Sequence, residues 1–144
     1  MSNELVNFEE LLKRDGSFLY TFKGVSMKPL LNQGKDVVII SSIDRPIKKL
    51  DIVLYKVGER YVLHRVLKIR KDHYVIRGDN TYSEEFIPKD KVFGILTSYY
   101  KNDKLKKVNT KGAILLYYLW LTTYPLRWLL VKTKRLLRRI IKGK

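Results

Sequence analysis

Residues 60–77, RYVLHRVLKIRKDHYVIR, decide the fold class. Two runs rich in Val, Ile, Leu and Tyr, 60–69 and 73–77, flank Arg70-Lys71-Asp72, and this composition favours extended strands joined by a tight turn. A hairpin centred between Lys71 and Asp72 pairs residues whose numbers sum to 143: Ile69 with Tyr74, Leu67 with Ile76, and His64 with Asp79. Directly opposed residues carry Cβ atoms about 4.5–5.5 Å apart, so the Asp79 carboxylate can hold the His64 imidazole in one tautomer. Lys-Asp is not a favoured two-residue turn, and a single bulge in this hairpin turns Asp79 to the other face.

Outward from the hairpin, 17–22 (SFLYTF), 36–41 (DVVIIS), 51–57 (DIVLYKV) and 92–99 (VFGILTSY) have the same short, β-branched character, with Gly, Pro, Asn or Asp in most gaps. They predict a mainly antiparallel β domain over residues 1–100. A short amphipathic helix over 3–14 precedes it, with Leu5, Phe8, Leu11 and Leu12 at helical spacing behind Ser2 or Asn3 as cap. The start of the chain lacks the basic and apolar regions of a secretory signal.

Residues 101–144 differ in kind. The chain has 30 Lys+Arg against 14 Asp+Glu, a net charge of +16, and in this last third Asp103 is the only acid. Residues 101–111 read as a basic connector and 113–126 as an apolar run, with Pro125 set to break or kink a helix. From Leu126 an amphipathic helix is predicted. Leu126, Leu129, Leu130, Leu136, Leu137, Ile140 and Ile141 form its apolar stripe, and Arg127, Lys132, Lys134, Arg135, Arg138, Arg139 and Lys142 fill the rest. With Trp120 and Trp128 suited to a headgroup boundary, the tail predicts an anionic membrane surface as partner and disfavours nucleic acid.

Cysteine is absent and only His64 and His73 are present, which excludes thiolate catalysis and disfavours metal and cofactor chemistry. Catalysis would then rest on side chains. Ser26, in Lys23-Gly24-Val25-Ser26-Met27-Lys28-Pro29, follows a predicted strand at a turn that Gly24 permits, where backbone N–H groups including its own can hold an oxyanion. Taken singly, Ser26 reads as a helix cap, His64 as a packed strand residue, and Asp79 in Gly78-Asp79-Asn80 as a turn former. Taken together they make a nucleophile, a base and an orienting acid.

The series Gly24-Val25-Ser26-Met27-Lys28-Pro29, Asp51-Ile52-Val53, His64-Arg65-Val66 and Gly78-Asp79-Asn80 resembles the signal peptidase I family. A histidine at position 64 resembles its endoplasmic-reticulum and archaeal branch. The resemblance implies a LexA/signal-peptidase-like β fold and a serine endopeptidase that trims a leader or signal from a peptide or protein precursor after small residues. It implies that Ser26 attacks, His64 transfers the proton and Asp79 orients His64, with Gly24, Met27, Pro29, Gly78 and Asn80 shaping the site. Members usually carry a membrane anchor before the serine, which this chain lacks; Glu84 and Glu85 stand where the family often has a further aspartate. Gly24 resembles LexA-type self-cleaving repressors, which use a lysine base. A LexA-like regulator with a nucleic-acid-binding tail and an inactive peptide-binding scaffold are the alternatives. The seven cations from Lys132 to Lys144 favour a peripheral, monotopic placement on the cytoplasmic face; a spanning segment at 113–131 would put the β domain outside.

Overall fold

The computed structural model describes residues 7–143. These form two compact units that divide between Asn109 and Thr110. The first opens with helix α1 (Phe8–Asp15), capped by Asn7, whose Oδ1 accepts from the Glu9 and Glu10 N–H groups at 3.1 and 3.3 Å. Glu9 and Glu10 in its first turn and Lys13 and Arg14 in its last complement the helix dipole. Asn7 thus serves as the cap expected of Ser2 or Asn3, which with Leu5 lie outside the described residues.

Eight strands follow: β1 (Ser17–Thr21), β2 (Val37–Ser42), β3 (Ile52–Val57), β4 (Arg60–Ile69), β5 (His73–Arg77), β6 (Glu85–Pro88), β7 (Val92–Lys101) and β8 (Lys104–Lys107). They make one antiparallel sheet in the order β1-β2-β7-β3-β4-β5-β6, with β8 paired to β7. Apolar side chains are buried on both faces of β3, so its Ile-Val-Leu-Tyr run is continuous rather than alternating. Ile52 and Leu54 join one core with Leu12, Phe18, Met27, Leu31, Val38 and Leu63. Val53 and Tyr55 join a second core with Val66, Tyr74, Ile76 and Ile95.

Three sequence expectations need correction. The hairpin count of 143 holds for Ile69 with Tyr74 and Lys68 with Val75, but a bulge between Val66 and Lys68 shifts the rest, pairing Val66 with Ile76 and Arg65 with Arg77. Leu67 therefore does not face Ile76, and the register no longer places Asp79 opposite His64. The β unit also does not end near Tyr100. β7 runs on to Lys101 and turns through Asn102 and Asp103 into β8, so the expected basic connector is mostly a hairpin. Both turn residues have positive φ, 51° and 60°, a backbone that Asn and Asp tolerate better than most residues. β6 was not foreseen, because four residues ending in a proline carry little periodicity.

The second unit consists of α2 (Lys111–Thr122), capped by Thr110, and α3 (Tyr124–Lys142), with Pro125 in the first turn of α3. The pair bends by 49° at the break, where the proline was expected to interrupt a helix. Among the described residues no single helix is long and apolar enough to cross a membrane; the bent pair together meets that test of length and composition. Leu126, Leu129, Leu130, Leu136, Leu137, Ile140 and Ile141 are all exposed. The Arg127 guanidinium lies 3.8 Å from the centre of the Trp120 ring, and the Lys132 ammonium 4.8 Å from that of Trp128.

Candidate active site

β1 leads into the loop that carries Ser26. The Phe22 N–H bonds the Asp36 carbonyl at 3.0 Å, and Gly24 takes a φ of 99°, which a side chain would strain. Ser26 then opens a turn held by Lys28 N–H to Val25 O (3.3 Å) and Leu31 N–H to Met27 O (3.0 Å). Met27 and Leu31 are fully buried and fasten the turn to the first core, while Pro29 is exposed. Lys101, at the end of β7, donates from Nζ to the Pro29 and Leu30 carbonyls at 3.0 and 2.9 Å. On the other flank, Asn80 donates its N–H to the Ser26 carbonyl at 2.7 Å and its Nδ2 to the Val25 carbonyl at 3.1 Å.

His64 lies on β4, one step past the bulge-shifted pairs. Continuing that shifted count places Gly78 beside it. A Cβ on Gly78 would sit 2.8 Å from the Ser26 carbonyl oxygen and 2.9 Å from His64 Nε2. The two atoms are therefore no further apart than those distances together, and only a residue without a side chain fits between them. Ser26 and His64 line one cleft of about 400 Å³, with Lys23 and Arg60 among its other walls. The Ser26 hydroxyl and His64 Nε2 are not hydrogen-bonded to each other. Phe8 of α1 closes the cleft's apolar side, its ring 4.7 Å from Phe18, 5.1 Å from Tyr20 and 4.7 Å from Tyr61.

The imidazole's other nitrogen is engaged. Val53 pairs with His64 and Tyr55 with Val62, so Tyr55 and His64 are diagonal neighbours on one face, and the phenol oxygen lies 2.9 Å from His64 Nδ1. The same phenol donates a hydrogen bond to Oε2 of Glu85, an oxygen 3.7 Å from His64 Nδ1. Burial pushes the His64 pKa below its ordinary 6.5, against the opposing pull of the Glu85 and Asp79 charges. Burial, then the hydrogen bond to Glu85 and its charge, pushes the Tyr55 phenol far above its ordinary value. At neutral pH the pair is a neutral imidazole and a neutral phenol.

Asp79 is placed differently from the sequence expectation. Its two oxygens accept from Arg65 Nε and Nη2, each at 2.8 Å, and both residues are buried. It reaches His64 as a charge rather than as a hydrogen-bond acceptor. Arg65 also donates to the Leu50 carbonyl (3.1 Å) and to Oδ1 of Asn109 (3.2 Å); Asn109 donates to Asp51 (3.3 Å), which Arg45 grips with both Nη atoms at 2.7 and 3.0 Å. Asp51, Arg65 and Asp79 of those motifs thus share one largely buried network with Asn109 and Arg45, and Asn80, next to Asp79, holds the Ser26 turn. A charge left unpaired in that network is costly, which explains why each has partners.

Sequence reasoning missed Tyr55, Lys101 and Phe8 as parts of the site, and named Glu85 beside Glu84 without giving it a role. Tyr55 carried a usable signal, since a tyrosine inside a wholly apolar strand needs a partner for its hydroxyl. Lys101 and Phe8 carried none, because one was read as connector and the other as a helix-face residue. No curated protein matches the chain. A family model described as Peptidase S24-like matches residues 3–97, a span that takes in the Ser26 loop, His64, Tyr55, Asp79 and Glu85 and nearly all of the sheet. On a match of that extent to a sheet and cleft of this kind, the chain belongs to the Peptidase S24-like family and has its serine-peptidase fold.

Proposed function

We propose that this chain is a membrane-associated serine endopeptidase, of the signal-peptidase kind with a histidine base, that removes a leader or signal segment from a peptide or protein precursor. The observation that carries the reading is the convergence of the Ser26 turn and a buried, neutral His64 Nε2 on the single point at Gly78. A neutral imidazole facing a hydroxyl across one cleft is what general-base activation of a serine requires. Ser26 Oγ attacks the scissile carbonyl while His64 Nε2 takes its proton, and the imidazolium returns that proton to the leaving amine. The Ser26 N–H, which has no hydrogen-bond partner among the described residues, is a donor for the oxyanion. Catalytic hydrogen bonds often tighten only when substrate closes the site, which accommodates the missing hydrogen bond between the Ser26 hydroxyl and the imidazole.

The second unit supports membrane association. α3 is about 28 Å long at 1.5 Å per residue, with an exposed apolar stripe, a largely basic remainder, its own Lys132–Trp128 pair, and Arg127 set over Trp120 of α2. It would lie on an anionic cytoplasmic leaflet, with Arg135, Arg138 and Arg139 among lipid headgroups. The second reading, a LexA-like regulator with a DNA-binding tail, draws on the family match and the tail's charge, while the apolar stripe of α3 speaks for lipid. Flotation with anionic liposomes and a DNA-shift assay at physiological salt distinguish the two. Ser26→Ala and His64→Ala should each abolish cleavage with the fold intact, and full activity of either against a genuine substrate rejects the peptidase.

A further inference from the structure

We propose that Tyr55 and Glu85 together do the work usually given to a single orienting acid: Glu85 accepts a hydrogen bond from the phenol, and the phenol oxygen thereby accepts one from His64 Nδ1–H. The proposal rests on the peptidase reading for its catalytic meaning, but the hydrogen-bond order can be tested without it. A phenol has one proton to give, and its hydrogen bond to the Glu85 carboxylate uses it. The phenol oxygen, 2.9 Å from His64 Nδ1, can then act there only as acceptor, so the proton of that bond belongs to the imidazole. A neutral imidazole protonated at Nδ1 has its lone pair on Nε2, the nitrogen beside Gly78 and the Ser26 turn. The base is thus set in its working tautomer by a carboxylate it does not touch with a hydrogen bond.

Two other features fit this role. Tyr55 is fully buried in the middle of β3, whereas Glu85 lies half-exposed on the edge strand β6 and lines the cleft. The phenol carries the influence of a solvent-reached carboxylate across to a buried ring. The bidentate clamp of Arg65 on Asp79 removes the other acid whose charge reaches His64 from competition for Nδ1. When Nε2 takes the serine proton, the imidazolium still donates from Nδ1 to the phenol, and the phenol still donates to Glu85. No proton passes to Glu85; its charge steadies the cation through one intervening hydroxyl. Tyr55 is therefore a positioning residue, and Glu85 acts through it. The charged groups around the ring are Glu85 from β6, Asp79 from the turn after β5 with Arg65 paired to it, and Lys23 and Arg60 on the cleft walls.

The test uses the full chain, with ¹⁵N-labelled histidine read by NMR and a fluorophosphonate probe reporting Ser26 reactivity. Wild type should show His64 protonated at Nδ1 with Nε2 as acceptor. Tyr55→Phe, which keeps the ring and its packing, should release that preference and slow labelling about ten- to a hundredfold. Glu85→Gln should yield mixed tautomers, because an amide can donate to the phenol and reverse the chain, and should move the His64 titration to lower pH. A wild-type ring protonated at Nε2, or a Tyr55→Phe variant with unchanged tautomer and labelling, overturns the proposal. A wild-type chain with the expected tautomer that never reacts with the probe leaves this hydrogen-bond order standing and rejects the peptidase instead.

Discussion

Arg65 and Asp79 meet edge to edge, Nε on Oδ1 and Nη2 on Oδ2, each at 2.8 Å, with side chains only 4% and 3% exposed. The pair sits one residue from the base on β4 and one residue from Asn80, which holds the Ser26 carbonyl. Removing one partner leaves a buried charge without its counterpart. Asp79→Ala should therefore cost about 3–5 kcal/mol, and replacing both residues by apolar ones should recover much of it. Urea unfolding of the single and double variants measures this. A loss under about 1 kcal/mol for Asp79→Ala would show that the pair does not brace the site.

Gly78 tests the approach of the serine turn to the imidazole. A methyl there meets a backbone carbonyl, a buried ring nitrogen and Thr81 Cγ2, all at 3.0 Å or less. The Thr81 methyl can swing aside, but the carbonyl and the buried ring cannot yield without moving the Ser26 turn or His64 on β4. Gly78→Ala should destabilise by about 1–3 kcal/mol and suppress fluorophosphonate labelling more than the stability loss explains. Wild-type labelling in a folded Gly78→Ala chain would mean the two elements are not packed this closely.

The depressed pKa of His64 has a definite sign. The unfolded chain, with the ordinary value of 6.5, binds a proton before the folded one does. This contribution to stability is complete above 6.5, shrinks as pH falls, and is gone once pH passes below the folded value. Activity follows the same limb, because only the neutral ring accepts the serine proton. The rate–pH profile should show an acid limb below 6.5, and a limb above 7 would contradict a base neutralised by burial.

The tail makes a separate expectation. A cation near an anionic leaflet contributes about 1 kcal/mol. Changing Lys134, Arg135, Arg138 and Arg139 to Glu should thus lower partition onto vesicles of one-third phosphatidylglycerol by at least a hundredfold. Replacing Leu136, Leu137, Ile140 and Ile141 by Ser should do the same by removing the apolar stripe, and this arm separates lipid from nucleic acid. DNA binding lost by the charge reversals but kept by the serine variants would assign the tail to nucleic acid.

Much of this was legible in the residues themselves. Strands β4 and β5 have the bounds their composition predicts, and β1, β2, β3 and β7 lie within a residue or two of theirs. The bulge risk written into Lys71-Asp72 was also readable, although not its position. The proposed partner of the base was not readable, because Asp79 and Glu85 are both acids a short way past β5, and nothing local says which one the imidazole reaches.

Composition and spacing by themselves determined the β unit and the helical basic tail with its break beside Pro125, since each depends on short-range propensity or periodicity, whereas Ser26 and His64 were nominated by their combination with Asp79 and by the family resemblance. Tertiary structure alone decided that Asp79 belongs to Arg65 and that Tyr55 stands between His64 and Glu85. The reason is that one skipped residue at Leu67 reverses which side chains face each other, and the position of that skip is set by packing across the whole sheet.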